Sequence, residues 1–122
     1  MDQILIYTKN NEKRTQIAEL CSMMELSLYI ITPQELGCPV ALLGEKKKKQ
    51  LKSSVQVPAL YYQPDLILFN GLSDEALDNF LAFYRLKGIE PTALKAVVTP
   101  VNYSWPVFEL TKELQKEAKE LG

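Results

Sequence analysis

Residues 30–45, IITPQELGCPVALLGE, align without a gap to residues 97–112, VVTPVNYSWPVFELTK. Thr32 falls on Thr99, Pro33 on Pro100, Pro39 on Pro106, Val40 on Val107 and Leu43 on Leu110. The shared Thr-Pro marks the end of an apolar strand in each stretch, and the shared Pro-Val marks a helix start, where proline suits the first turn. The match therefore predicts two successive units of the same kind, an internal repeat in a chain of 122 residues.

Working outward, each unit reads β-α-β-α. In the first, Gln3 to Tyr7 and Ser27 to Ile31 are short β-rich runs. Between them Ile17, Leu20, Cys21 and Met24 recur at helical spacing, behind a cap at Asn10 or Asn11. Pro39 opens a short helix (PVALLGEKKKKQ). In the second unit, Asp65 to Phe69 and Leu94 to Thr99 are the strands. Ser73 caps a helix with the stripe Leu77, Phe80, Leu81 and Tyr84, stopped at Gly88. A last helix runs from about Pro106 to Leu121, with Val107, Leu110, Leu114, Ala118 and Leu121 on one face. The stripes of the two first helices do not keep the same register from their caps.

The expected fold is α/β: one domain over residues 1–122, with halves 1–50 and 65–122 joined by a linker at 51–64. The two β-α-β-α units form a small, mostly parallel four-stranded sheet with helices packed on it, since strand-helix-strand units pair in parallel through right-handed crossovers. A ferredoxin-like α+β arrangement of two split units is the alternative. Val55, Val57 and Leu60 allow an edge strand in the linker, although Pro58 and Pro64 oppose a central one.

Composition limits the chemistry. Hydrophobic residues make up 47% and charged residues 24%, with 14 basic against 15 acidic and a net charge of −1. No global field favours nucleic acid or membrane. No histidine is present, which removes the commonest general base and metal ligand together. Cys21 and Cys38 are read as free thiols in a cytoplasm. No cofactor or metal is expected, no catalytic residue stands out, and the start of the chain reads as neither a signal peptide nor a membrane span.

The densest polar and aromatic cluster follows the fourth strand. There Thr99, Asn102, Tyr103, Ser104 and Trp105 could form a pocket or partner surface, or simply a turn in which Asn102 or Ser104 caps and Trp105 packs under the last helix. Lys95, Tyr103 and Glu109 lie close enough in sequence for an enzyme reading, if burial lowers the lysine's pKa. The run Lys46, Lys47, Lys48, Lys49 and Lys52 could touch nucleic acid, yet it lacks interleaved aromatics and reads first as a solvated helix end. The loop Thr8, Lys9, Asn10, Asn11, Glu12, Lys13, Arg14 could take an anion, but reads first as a solvated helix start. Tyr61 and Tyr62 form either a sticky patch or a cover for the sheet edge, and thin-sheet edges leave room for a homodimer.

The string Lys95-Ala96-Val97, Thr99, Asn102, Trp105 and Leu110-x-x-Glu113 resembles a family of small bacterial proteins designated a domain of unknown function, number thirty-seven eighty-three. The likeness covers the chain from Asp65 onward. It implies a bacterial, cytoplasmic setting and brings no activity, cofactor or catalytic residue with it. The leading expectation is a non-enzymatic binding or regulatory module, acting on a protein or small molecule through the Thr99–Trp105 turn.

Overall fold

The computed structural model describes residues 2–44 and 54–121, with the side chains of residues 120 and 121 left aside. Four strands, β1 (Gln3–Tyr7), β2 (Ser27–Ile30), β3 (Leu66–Asn70) and β4 (Leu94–Val97), form one sheet in the order β2-β1-β3-β4. β1 pairs β2 in parallel, β3 pairs β4 in parallel, and β1 meets β3 antiparallel, with Leu5 opposite Leu68. The expected α/β sheet is present. The ferredoxin-like alternative is not, because its split unit would place a strand between β1 and β2, and here they are neighbours.

Strand alternation divides the core into two layers. Ile4, Ile6, Ile67 and Phe69 point to one face, where Ile17, Leu20 and Cys21 of α1 (Asn11–Met23) and Phe80 and Tyr84 of α2 (Asp74–Leu86) cover them. Leu5, Tyr7, Leu66 and Leu68 point to the other, under Leu36, Val40 and the Val107 and Leu110 stripe of α3 (Val107–Leu121). Both faces of the inner strands are covered, which is why β1 and β3 read as unbroken apolar runs rather than alternating ones.

The halves match in spacing as well as order. Gln3 to Leu66 and Asn11 to Asp74 are each 63 residues apart, since 66 − 3 = 74 − 11 = 63. From Ser27 to Leu94 the offset is 94 − 27 = 67, so four more residues lie between helix and second strand in the second half. Counted from their caps, Asn10 and Ser73, both first helices bury the same positions: Ile17 with Phe80, and Cys21 with Tyr84. Their registers agree there, and differ at Leu20, whose counterpart Phe83 is 40% exposed, and at buried Lys13, whose counterpart Ala76 is half-buried.

Two elements depart from expectation. Among the described residues, Pro39 opens a single 3-10 turn, Val40–Leu42, rather than a helix. The expected lysine-rich continuation lies outside the described residues. In the linker, residues 54–64 contain no strand. The stretch lies along the sheet's second face: Val55 N–H donates to Gly37 O at 2.9 Å, and Tyr61 meets Phe108 edge-on with ring centres 5.7 Å apart. Buried Gln63 exchanges hydrogen bonds with Thr111 of α3, its Nε2 lying 2.9 Å from the threonine hydroxyl. The two prolines and this side-chain anchoring take the place of a ladder.

Candidate functional site

Beside the outer edge of β4 runs a groove of about 400 Å³. Ala96, Trp105, Leu110 and Leu114 give it an apolar floor, while Lys95 stands on the strand side and Glu113 and Glu117 on α3. The Thr99–Trp105 turn closes one end through Thr99, Val101 and Asn102. Its geometry follows from local hydrogen bonding. Asn102 Oδ1 accepts from Thr99 N–H at 2.8 Å, Asn102 N–H donates to Thr99 Oγ1 at 3.1 Å, and Asn102 Nδ2 donates to Val97 O at 3.1 Å. A 3-10 turn, Asn102–Ser104, results.

The same device stands at the matching place in the first half. Glu35 Oε1 accepts from Thr32 N–H and from Thr32 Oγ1, each at 3.0 Å, and its other oxygen accepts from the Tyr29 hydroxyl. Glu35 corresponds to Asn102 at the 67-residue offset. Asn102 is thus first a turn-forming residue, and its carbonyl oxygen and one amide N–H are already engaged.

The sequence-selected residues separate in space. Thr99, Asn102 and Trp105 line the groove, Trp105 half-buried against the second core layer. Tyr103 and Ser104 are exposed and are not among the residues lining it. Of Lys95, Tyr103 and Glu109, only Lys95 lines it, so the three side chains of the enzyme reading do not converge. Lys95 is exposed on its edge strand, without the burial that reading required. Tyr61 is half-buried, and Tyr62 is exposed with the Lys9 ammonium 5.5 Å from its ring centre. The lysines at 46–49 and 52 lie outside the described residues.

Burial pushes the Cys21 thiol up to about 11. Cys38 is also raised, first by burial and then by the nearby Glu35 carboxylate. Both stay protonated, inert packing at neutral pH. Among the described residues no group of three or more His, Cys, Asp or Glu side chains could hold a metal ion, and no helix is long and apolar enough to cross a membrane.

Sequence reasoning missed one polar centre. Lys13 is 1% exposed, not solvated, and its ammonium lies 2.8 Å from Asp65 Oδ2 and 3.1 Å from Pro91 O. Glu90 Oε1 lies 3.8 Å away, and Thr8 Oγ1 donates to the same Asp65 oxygen at 2.9 Å. The signal was present: Lys13 stands four residues before Ile17, one turn further along the apolar stripe, and Asp65 directly precedes an apolar strand.

Every residue of the groove lies between Lys95 and Glu117. Residues 65–121 match the model of one family, Domain of unknown function (DUF3783). The DUF3783 match opens at Asp65, the partner of Lys13, and spans β3, α2, β4 and α3. It encloses the whole groove and leaves the first half outside. No curated protein and no solved structure matches the chain.

Proposed function

We propose that the protein is a non-enzymatic binding module that takes an extended peptide segment of a partner protein along the groove between β4 and α3. The observation carrying this reading is the groove's position beside a sheet edge that is unpaired among the described residues, since β4 ends the strand order. An added strand finds main-chain partners at such an edge, and a pocket for alternate side chains supplies selectivity. The apolar floor of Ala96, Trp105, Leu110 and Leu114 suits one aliphatic side chain of the guest. Glu113 and Glu117 outnumber Lys95 along the walls, so the guest's flanking residues are basic.

The reading keeps the bacterial, cytoplasmic setting that the family resemblance implies. It also takes the two halves as copies of one β-α-β-α unit, supported by the offset of 63 residues shared by the first strand and helix, and by one pair of bonds. Val40 N–H donates to Trp105 O at 2.9 Å and Val107 N–H to Cys38 O at 3.1 Å, so each half gives the other the same contact.

Trp105 is the only tryptophan and reports the groove directly. Titrating the fluorescence of the full chain with a blocked Val-Lys-Val-Lys-Val peptide should give a saturable change, weakened in the Glu113→Gln/Glu117→Gln variant. The Glu-for-Lys peptide should give none. An equal response to both peptides, or none to either, overturns the reading.

A further inference from the structure

A second cavity, of about 390 Å³, lies at the opposite end of the sheet, over the carboxyl ends of β1 and β2. The chain leaves these two neighbouring parallel strands in opposite directions. After β1 it turns to α1 on one face, and after β2 it turns through Pro33 to Leu36 and Val40 on the other. Diverging connections after adjacent parallel strands open a crevice, the place where open α/β sheets receive ligands.

The lining is Tyr7, Thr8, Lys9 and Arg14 on one side and Ile30 to Pro33 on the other. It has two cations and no carboxylate. Glu35 is turned to Thr32 and the Tyr29 hydroxyl, and Asp65, reached through Thr8, is paired with Lys13, so neither carboxylate lines the cavity. Arg14 has no ion pair among the described residues; it donates to Asn11 Oδ1 and to Thr8 O, both at 2.8 Å. Those are two of the five guanidinium N–H groups. Among the described residues Nε is buried without a partner, and each terminal nitrogen makes a single hydrogen bond, which leaves a further N–H on each.

The corresponding crevice in the second half lacks this chemistry. At the 63-residue offset Thr8, Lys9 and Arg14 fall on Gly71, Leu72 and Leu77, and both leucines pack against the core. One scaffold position therefore carries charge in one half and hydrocarbon in the other.

We propose that the crevice between β1 and β2 binds a small anion with an apolar body, a carboxylate or phosphate monoester. The anionic head lies between Arg14 and Lys9, and the body lies on Ile30, Ile31 and Pro33. Arginine supplies the planar, multi-donor contact that such oxyanions fit. Lys9, exposed and held near Tyr62, adds charge without geometry.

The test uses the full chain labelled with nitrogen-15, with inorganic phosphate, phenyl phosphate and phenylacetate as probes. Saturable shifts should appear at the amides of Thr8, Lys9, Ile31 and Thr32, and phenyl phosphate should bind more tightly than inorganic phosphate. Arg14→Gln should weaken phenyl phosphate by about tenfold or more, the scale of a charged hydrogen bond. Lys9→Gln should weaken it roughly two- to fivefold, as for an exposed charge. Lys9→Glu settles the matter if Arg14→Gln unfolds, because Lys9 lies on the surface. Shifts that fail to saturate, that centre elsewhere, or that persist undiminished in Arg14→Gln or Lys9→Glu overturn the proposal. The groove beside β4 is untouched by these variants, so the two readings fail separately.

Discussion

Lys13 and Asp65 form an ion pair of 2.8 Å that ties α1 of the first half to the start of β3 in the second. The lysine is almost wholly enclosed, whereas the Asp65 side chain keeps about a quarter of its surface, at 26%. Such a pair contributes little over a well-packed apolar replacement, but removing one partner leaves a buried charge alone. Asp65→Asn should therefore cost about 2–3 kcal/mol in urea unfolding, below the full figure for a buried pair because of that exposure. Lys13→Met/Asp65→Leu should recover much of the loss. Equal losses for the single and double variants would show that the ion pair does not govern the junction.

Gly37 and Gly88 fail on alanine for different reasons. A Cβ on Gly37 would stand 2.0 Å from Val55 O, the backbone that lies over it. Gly88 has open space but a φ of +66°. Gly37→Ala should lower stability by about 1–3 kcal/mol through forced displacement of the linker. Gly88→Ala should lower it by roughly 1–2 kcal/mol through backbone strain alone. Amide shifts around Val55 distinguish them: they should move in the first variant and not in the second.

Asn102→Ala removes both side-chain bonds that fold the turn after β4, and should cost about 1–2 kcal/mol in thermal unfolding. Asn102→Asp retains the acceptor for Thr99 N–H and should lose less. A loss of guest binding in Asn102→Ala thus reports turn geometry as much as contact. Glu113→Gln is the cleaner probe of the groove, since it leaves the turn intact.

Cys21 gives the alkaline side of stability a definite sign. Its thiol rises from 9.0 to about 11 on burial. Between those values the unfolded chain has released the proton and the folded chain still holds it. Stability is thus fully present below about pH 9 and falls as pH rises toward 11. The steepest slope is roughly 1.4 kcal/mol per pH unit. Denaturant midpoints measured across this window should fall in the wild type and fall less steeply in Cys21→Ala, where the raised Cys38 and Tyr61 groups remain.

The fold was legible because strands and helices repeat in spacing, and the apolar runs Ile4 to Tyr7 and Leu66 to Phe69 declare a sheet covered on both faces. The antiparallel meeting of β1 and β3 was not. No local pattern records how two units join, and here one side-chain contact across the join is Lys13 with Asp65, 52 residues apart in sequence. The Thr99–Trp105 turn was visible as a cluster, and three of the five residues singled out in it, Thr99, Asn102 and Trp105, do line a groove. Arg14 and Lys9 were legible only as charges at a helix start. Their shared cavity depends on which face each connection takes, a property of the assembled sheet.

Leu5 and Leu68 lie opposite each other at the middle of the sheet, 68 − 5 = 63 residues apart along the chain. Within each half the strands that pair are far closer in sequence: Gln3 meets Ser27, and Leu66 meets Leu94. Loop-closure entropy is consequently greatest for the docking of β1 on β3, while each β-α-β unit closes a shorter loop of its own. This central register holds the sheet contacts of greatest sequence separation, the kind that slows folding. Substitutions that weaken the pairing around Leu5 and Leu68 should slow folding more than equally destabilising ones in the outer strands.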